Sequence, residues 1–334
     1  MAHKKKSMKC KLFPFDRVDC LSLQDAKQKA GWNITAFNLP DAWKHTQGEG
    51  VKIAVLDTGC DLDHPDLIGN LLPGMNFSEP GKPPVDRNGH GTHVIGTICA
   101  MNNDIGVVGV APKAKVMPVK VLGDDGNGNL LNVAKGIRWA ADQGVDFISM
   151  SLGAPVAVQQ VRKAIQYAAT KGAVCFVAAG NAGNTKEVFY PANYPETIAI
   201  GAIGADFNRA NFSNTGVNLD FMAPGVDIFS TVPDNWYATL SGTSMAQPFA
   251  CGVAALLKSY IKNHPKLKDS IKLETANDYR GRFKKHVVPV QNENYRNRKF
   301  YTGFGIIDPR LFVEAIDRFE QKNPKDVRFL MMPH

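Results

Sequence analysis

The chain has 334 residues, of which 44% are hydrophobic and 21% charged, and this is enough for one large α/β domain with a sizeable core. It contains no run of 18 or more apolar residues, so no membrane-spanning helix is expected, and no apolar segment of a secretory signal follows the lysine-rich start. The formal net charge is +8, and the whole excess lies in residues 258–334, with 17 Lys and Arg against 9 Asp and Glu.

The excess of positive charge in residues 258–334 raises the question of whether the protein binds nucleic acid. One-sided basic charge is typical of nucleic-acid-binding surfaces, but no nucleic-acid-binding motif accompanies it here. A solvated helical face or an oligomer surface is the favoured interpretation, and nucleic acid is not expected as a partner.

The six cysteines are scattered, mostly inside apolar segments, and lack the spacing of a metal site. They are therefore predicted to be free, mainly buried thiols, which indicates a reducing compartment and a cytoplasmic protein. Cys60 lies close to a candidate catalytic acid, but a small packed residue is the favoured interpretation.

In chain order, the first segment with a distinct pattern is an apolar cluster near the start. Residues 1–35 are polar and weakly periodic except for Leu12-Phe13-Pro14-Phe15. An apolar cluster that is bent by a proline and lies outside any core needs a surface to bury it.

From residue 51 onward the pattern alternates between strands and helices. The predicted strands, rich in Val and Ile, are Lys52–Leu56, Val116–Val121, Val145–Met150, Ala173–Ala178 and Thr197–Ile203, and the main predicted helices are Leu130–Gln143 and Val156–Thr170. Strands that are apolar on both faces, joined by helical crossovers, predict an α/β three-layer sandwich with a mainly parallel central sheet. In such sheets the functional site lies at the carboxyl ends of the strands.

Three residues that could carry chemistry stand at the ends of predicted elements. Asp57 follows a strand, and His90 stands among glycines where an apolar segment begins. Ser244 stands near the start of a buried helix, with Pro248 placed in its first turn, so backbone N–H groups beside Ser244 could stabilise an oxyanion. Each alone is more often a turn residue, a structural histidine or a helix cap, but together they form the parts of an acyl-transfer triad.

The segments AVLDTG at Asp57, NGHGTHVIGT at His90, VAAGNAG at Asn181 and SGTSMAQP at Ser244 resemble the signature blocks of the subtilisin-like serine proteases. The resemblance extends from about residue 43 to 315 and is closest in character to the intracellular subtilisins. It implies a subtilisin-like fold and a serine endopeptidase of broad specificity that acts on polypeptides. Ser244 would be the nucleophile, His90 the base and then acid, and Asp57 its orienting partner. Asn181 and the Ser244 N–H would form the oxyanion hole.

The same resemblance implies where a substrate binds. Two glycine-bearing edges would pair with the substrate backbone, and the residues concerned are Gly126, Gly128 and Leu130 on one side and Ser151, Leu152 and Gly153 on the other. Phe189 stands where the family often has a small residue, which suggests a shallower first pocket and argues against large aromatic residues there. The Tyr190–Pro191 bond is expected to be cis.

Structural calcium is the cofactor that the resemblance implies. The ligands would be the side chains of Asp66 and Asn103 and the carbonyls of Met101, Ile105 and Val107. A further ligand from the N-terminal segment is expected but is not placed by the sequence. A weaker cation site would use the carbonyls of Ala192, Tyr194 and Thr197. An ordinary turn rich in Asn and Gly remains the alternative for the calcium loop.

The resemblance also divides the chain. Residues 1–27 would be an inhibitory pro-segment that lies across the active site through Leu12, Phe13, Pro14 and Phe15, and a disordered tail is the alternative. Residues 28–320 would be the catalytic domain and 321–334 a charged tail, and a homodimer is expected by analogy alone. Phe249, where the family usually has His, is expected to face the interior. Residues 262–298 match nothing recognised.

Two rival functions remain open from the sequence. One is a catalytically idle peptide-binding protein on the same fold, which the complete triad argues against. The other is a nucleic-acid-associated protein that uses the basic region 258–334.

Overall fold

A computed structural model of the chain describes residues 8–12, 16–22, 27–183, 186–264, 267–268, 271–291 and 298–322, with residues 16–22, 298 and 320–322 described by their backbone alone. Leu12 of the predicted inhibitory segment is described, whereas Phe13, Pro14 and Phe15 lie outside the described residues. Most of the predicted tail, residues 323–334, lies outside them as well.

The described strands are β1 (Lys9–Leu12), β2 (Asp16–Ser22), β3 (Lys52–Asp57), β4 (Met75–Asn76), β5 (Lys115–Lys120), β6 (Asn127–Asn129), β7 (Phe147–Met150), β8 (Leu152–Gly153), β9 (Val174–Ala178), β10 (Thr197–Ile203), β11 (Phe221–Pro224), β12 (Ile228–Val232), β13 (Trp236–Ser241), β14 (Val287–Val288) and β15 (Ile306–Ile307). Nine of them form the central sheet in the order β14-β15-β11-β10-β9-β7-β3-β5-β4. Every neighbouring pair in it is parallel except β14 with β15. The predicted parallel α/β sheet is confirmed.

The described helices are α1 (Trp32–Thr35), α2 (Leu39–Trp43), α3 (His90–Cys99), α4 (Leu130–Asp142), α5 (Gln159–Thr170), α6 (Thr243–Lys262), α7 (Ala276–Phe283), α8 (Arg298–Thr302) and α9 (Pro309–Lys322). α3 and α6 pack together on one face of the sheet, and α4 and α5 pack together on the other. All residues of β7, β9, β10 and β11 are buried, as expected for strands that are covered on both faces.

Two helix starts differ from the sequence prediction. α5 begins at Gln159 and not at Val156, because Val158 is extended and its N–H donates to Tyr194 Oη at 2.9 Å. α6 begins at Thr243, which puts Pro248 inside the helix and not in its first turn. Pro248 has no N–H to donate to the Ser244 carbonyl four residues back. Ser151 Oγ lies 3.0 Å from that carbonyl oxygen and takes the place of the missing donor.

Two small sheets stand beside the central one. The first has the order β6-β1-β8, and the second has the order β12-β13-β2. Both therefore include a strand from the first 22 residues, which pairs there with strands from later in the chain.

The segment after α6 that matched nothing recognised packs on the central strands of the sheet. α7 begins with a reciprocal cap between Thr275 and Asp278. Its Tyr279 and Phe283 are fully buried and pack against Phe176, which lies on β9, with ring centroids 6.2 and 6.3 Å away. Among the described residues no helix is long and apolar enough to cross a membrane.

Candidate active site

Asp57 and His90 meet at the carboxyl end of β3. Asp57 is the last residue of this strand, His90 is the first residue of α3, and both are fully buried. His90 Nδ1 lies 2.8 Å from Asp57 Oδ1, and the Thr58 N–H donates to the same oxygen at 2.8 Å. A carboxylate beside Nδ1 holds the proton on that nitrogen and leaves Nε2 as the basic atom of the ring.

A second buried carboxylate fixes the geometry of this pair. Asp86 Oδ1 accepts from Thr58 Oγ1 at 2.9 Å and from the N–H groups of Asn88 and Gly89 at 2.9 and 3.0 Å. Its Oδ2 accepts from the N–H and the hydroxyl of Thr92, at 2.9 and 2.7 Å. Asp86 thus ties the strand end that carries Asp57 to the first turn of α3. The sequence analysis missed it, although an acid four residues before His90 was visible.

Ser244 is the second residue of α6 and is fully buried. Its hydroxyl donates to the Ser151 carbonyl at 3.3 Å. A hydroxyl has one proton, so it has to turn away from Ser151 before it can donate to an imidazole. The Ser151 side chain, predicted to contact substrate, instead supports the helix that carries Ser244, with its Oγ 3.0 Å from the Ser244 carbonyl and 3.1 Å from Gln247 Oε1.

The carboxamide of Asn181 stands beside the start of α6. Its oxygen accepts from Thr243 N–H at 2.9 Å and from Thr243 Oγ1 at 2.7 Å. These two donors fix the orientation of the amide, so its NH₂ group points away from Thr243. A Cβ on Gly242 would lie 3.0 Å from Asn181 Nδ2, so a side chain there would crowd this nitrogen beside the predicted nucleophile.

The two predicted substrate edges face each other, and β1 lies between them. β1 pairs antiparallel with β6, with Lys9 opposite Asn129 and Lys11 opposite Asn127, and antiparallel with β8, with Lys11 opposite Gly153. Two further bonds extend this pairing, from Leu12 N to Gly126 O at 3.0 Å and from Leu130 N to Met8 O at 2.8 Å.

The side chains of β1 alternate between the protein and solvent. Cys10 and Leu12 are buried, while Lys9 and Lys11 are exposed. A Cβ on Gly128 would lie 3.3 Å from Cys10 Sγ, and one on Gly126 would lie 3.0 Å from Leu12 Cδ1. The glycines of this edge therefore make the space that the side chains of β1 fill.

A cavity of about 670 Å³ continues from this strand toward Asn181. Its walls include Gly153, Ala154 and Phe189, together with Lys9 and Lys11 of β1. Phe189 thus lies where the first substrate pocket was predicted, and its effect on pocket depth stays a prediction. Tyr190–Pro191 is cis, as expected.

Four oxygen atoms of the predicted calcium loop converge on one point. The side-chain nitrogen of Gln28 lies 2.8 Å from Met101 O, 3.3 Å from Asn103 Oδ1, 3.3 Å from Ile105 O and 3.2 Å from Val107 O. A half-turn of the Gln28 carboxamide replaces its nitrogen with its oxygen, which is a hard ligand like the other four. Gln28 therefore reaches the predicted calcium loop from the N-terminal part of the chain.

Asp66 borders this point and is fully buried. Its Oδ1 accepts from Asn103 Nδ2 at 2.9 Å and its Oδ2 from the Val107 N–H at 2.9 Å. Burial raises the pKa of Asp66 in the absence of a cation. The donor set, with neutral oxygens and one carboxylate, fits calcium and not a softer metal.

The carbonyls of the weaker predicted cation site accept hydrogen bonds from other groups of the protein. Thr197 Oγ1 lies 3.2 Å from the Ala192 carbonyl and 2.9 Å from the Tyr194 carbonyl. The Thr197 carbonyl accepts from the guanidinium of Arg280, whose Nε donates to Asp220 Oδ1 at 2.9 Å. A hydroxyl and a guanidinium thus already contact these oxygens, and the weaker cation site stays a prediction.

Two smaller expectations are confirmed. Phe249 is fully buried and packs on Phe37 with ring centroids 5.1 Å apart. Cys60 is fully buried, and desolvation by burial raises the pKa of its thiol.

The comparisons with known proteins agree with this geometry. The sequence profile described as "Subtilase family" matches residues 48–304. The chain is similar to an intracellular serine protease of Paenibacillus polymyxa, with 48% identity over 255 residues, 72% of this chain and 78% of the relative. It is also similar to the major intracellular serine protease of Bacillus subtilis (strain 168), with 44% identity over 237 residues, 68% and 74% of the two chains. Thermitase of Thermoactinomyces vulgaris is 45% identical over 233 residues, 70% of this chain and 83% of that protein. The chain therefore belongs to the subtilase family, the subtilisin-like serine endopeptidases.

Proposed function

We propose that the chain cleaves polypeptides by attack of Ser244 on a peptide carbonyl. His90 takes the hydroxyl proton and then gives it to the leaving amine, while Asp57 holds the ring and stabilises its charged form. The Asn181 amide and the Ser244 N–H stabilise the oxyanion of the tetrahedral intermediate. The observation that carries this proposal is the 2.8 Å contact between His90 and Asp57 at the sheet edge where α6 begins.

We further propose that residues 1–27 inhibit the enzyme and that residues 28–320 form the catalytic domain, followed by the charged tail 321–334. β1 supports this, because it uses the backbone groups of both edges that a substrate would need. The complete burial of Ser244 also supports it. Removal of the segment by proteolysis would open both edges.

Calcium is proposed as the structural cofactor. The oxygens of Asn103, Met101, Ile105 and Val107 around the Gln28 carboxamide, with Asp66 beside them, would hold the ion. The ion would offset the buried charge of Asp66 and tie the residues that follow the inhibitory segment to the catalytic domain.

A cytoplasmic location is proposed because two similar proteins are named as intracellular proteases. The five described cysteines, Cys10, Cys60, Cys99, Cys175 and Cys251, are all free and buried, which is typical of a reducing compartment.

The test of the peptidase function compares the full chain with its Ser244→Ala variant. We expect a fluorophosphonate probe to label the full chain at Ser244 and a peptide substrate to be cleaved, with neither result for the variant. If the probe does not label the full chain under any condition, Ser244 is not the nucleophile, and a catalytically idle peptide-binding protein is favoured. Retention on DNA that depends on salt, without peptidase activity, would favour the nucleic-acid alternative.

The test of inhibition uses the initial peptidase rate. Deleting residues 1–27 is expected to remove the lag before cleavage, and Leu12→Asp is expected to shorten it because a charge replaces a buried side chain. Lys11→Ala is the matched control, since Lys11 lies on the exposed side of the same strand. Equal lags for all three variants and the unaltered chain would refute the inhibitory role.

A further inference from the structure

The turn that carries Asn181 follows β9 and belongs to no helix or strand. Gly180 has a φ of +106° there, a conformation that glycine adopts without strain. Because the turn has no ladder of hydrogen bonds of its own, the position of Asn181 depends on bonds from other parts of the chain.

Asn214 supplies three of these bonds, although it is remote from the turn in sequence. Its Nδ2 donates to the Ala179 carbonyl at 3.1 Å, and its Oδ1 accepts from the Ala182 N–H at 2.7 Å. Its backbone N–H donates to the Gly180 carbonyl at 2.9 Å. The bonded groups lie on both sides of Asn181, so Asn214 brackets the residue that carries the proposed oxyanion donor.

The Asn214 side chain is fully buried, and its orientation is determined by its partners. Its oxygen faces an N–H group and its nitrogen faces a carbonyl, so the opposite orientation would break both bonds. A Cβ on Gly180 would lie 2.4 Å from Asn214 Nδ2, and the glycine therefore lets the amide approach the turn closely. Removing this side chain would leave the Ala182 N–H without its acceptor and open a cavity beside the turn.

The segment that carries Asn214 is itself anchored to the central sheet. Ser213 Oγ accepts from the N–H of Ala202, which lies on β10, at 3.0 Å. The Ser213 carbonyl accepts from Arg209 Nη1 at 2.7 Å. Asn214 therefore ties the turn to the sheet through a fixed support.

The start of α6 holds the other side of the same turn. The Gly180 N–H donates to Thr243 Oγ1 at 3.1 Å, and this hydroxyl donates to Asn181 Oδ1 at 2.7 Å. Thr243 thus holds the side chain of Asn181, while Asn214 holds the backbone around it. A donor that is held at both ends is in place before the substrate binds, which is what an oxyanion hole requires.

We propose that Asn214 is a positioning residue for the oxyanion hole, which it serves by holding the backbone at Asn181. The inference rests on the proposed peptidase function and adds to it a residue that acts through the Asn181 amide. Loss of an oxyanion donor costs about 10²–10³ in kcat, and a misplacement of about 1 Å costs up to about a hundredfold. Asn214→Ala loosens the donor without removing it, so kcat is expected to fall by about tenfold with little change in KM.

The test compares the effect of Asn214→Ala in the unaltered chain and in the Asn181→Ala background, with a peptidyl anilide as the substrate. Each full-length variant is first incubated with immobilised unaltered chain, which cleaves the N-terminal segment and is then withdrawn. A residue that acts only through the Asn181 amide has no effect once that amide is gone. We expect kcat to fall by about tenfold in the first case and by less than about twofold in the second.

Two further variants make this comparison specific. Asn218→Ala is the matched control, because Asn218 is an exposed asparagine of the same segment that donates to Asn193 Oδ1 at 2.8 Å and not to the turn. It is expected to leave kcat unchanged. Asn214→Asp keeps the volume and the acceptor for the Ala182 N–H but loses the donor to the Ala179 carbonyl. It provides the same comparison if the alanine variant does not fold.

An equal fall of kcat in both backgrounds would show that Asn214 supports the fold in general and does not act through Asn181. This result would overturn the positioning role and leave the peptidase function standing, and so would a lower melting temperature with kcat unchanged. If the unaltered chain does not cleave the anilide, both proposals fail.

Discussion

Replacing Arg280 with Met removes a cation from a nearly buried carboxylate. Arg280 and Asp220 have side chains that are only 14% and 7% exposed, and they are joined by a 2.9 Å bond. The guanidinium also donates to the Thr197 carbonyl and to Asn277 Oδ1 at 2.9 Å. The variant leaves Asp220 with the Ala199 N–H at 3.0 Å and with Lys299 as a nearby positive charge, but removes the guanidinium that donates to it.

The expected loss follows from this burial. Breaking a buried ion pair by removing one partner costs about 3–5 kcal/mol. The unfolding entropy of 334 residues is about 0.7 kcal/mol per kelvin at about 2 cal/mol/K per residue, so the melting temperature is expected to fall by about 4–7 °C. Differential scanning calorimetry of the Ser244→Ala background, in which self-digestion is absent, measures this fall.

Two control variants make the measurement specific. Lys82→Met breaks the exposed pair with Glu79, whose side chains are 65% and 43% exposed, and is expected to change the melting temperature by no more than about 1 °C. Asp220→Asn combined with Arg280→Met removes the buried negative charge as well as the guanidinium, and should recover much of the lost melting temperature. An Arg280→Met protein with the same melting temperature as the unaltered chain would refute the predicted cost of breaking this ion pair.

Three further predictions concern acid stability, calcium and the support of the triad. Burial, with Arg282 nearby, lowers the pKa of His286 from its ordinary 6.5 to about 4. The contribution of neutral His286 to the free energy of unfolding is therefore complete above pH 6.5. It is lost as the pH falls toward 4, because in that range the unfolded chain takes up the proton and the folded chain does not. The free energy of unfolding of His286→Phe, measured with urea, should depend less on pH between 6.5 and 4. A calcium chelator is expected to lower the melting temperature, and Gln28→Ala or Asp66→Asn should remove most of this effect; equal sensitivity in all three proteins would contradict the predicted site. Asp86→Ala should lower kcat by about tenfold to a hundredfold with little change in KM, and a kcat unchanged in steady-state kinetics would show that the Asp86 bonds do not position the triad.

The sequence was informative where local pattern determines structure. Runs of Val and Ile predicted the central strands, because strands that are covered on both faces have to be apolar throughout. Asp57 and His90 were identified by their place at element ends and are in direct contact. The helix start before Ser244 was predicted with less accuracy, since a proline inside a helix cannot be foreseen when the Ser151 hydroxyl that compensates for it is remote in sequence.

Two of the residues that the sequence analysis missed, Gln28 and Arg280, act over long range. Gln28 reaches a loop more than 70 residues away, and an isolated glutamine carries no spacing signal. Arg280 belongs to a basic region that was interpreted as a solvated face, yet its guanidinium enters the protein beside Asp220. In both cases the partners combine backbone carbonyls with a side chain that is remote in sequence, Asn103 for Gln28 and Asp220 for Arg280. Any residue type can supply a carbonyl, and no local pattern links the remote side chain, so the sequence gives no trace of either contact.

The order of the strands along the chain has a consequence for biosynthesis. β1 and β2 leave the ribosome before β6, β8 and β13, the strands with which they pair. Each edge of the cleft therefore meets a tethered segment of its own chain as soon as it forms, at an effective concentration of order millimolar. This concentration far exceeds that of neighbouring nascent proteins. Under the proposed inhibitory role of residues 1–27, the chain would be translated among potential substrates without a period of uninhibited activity.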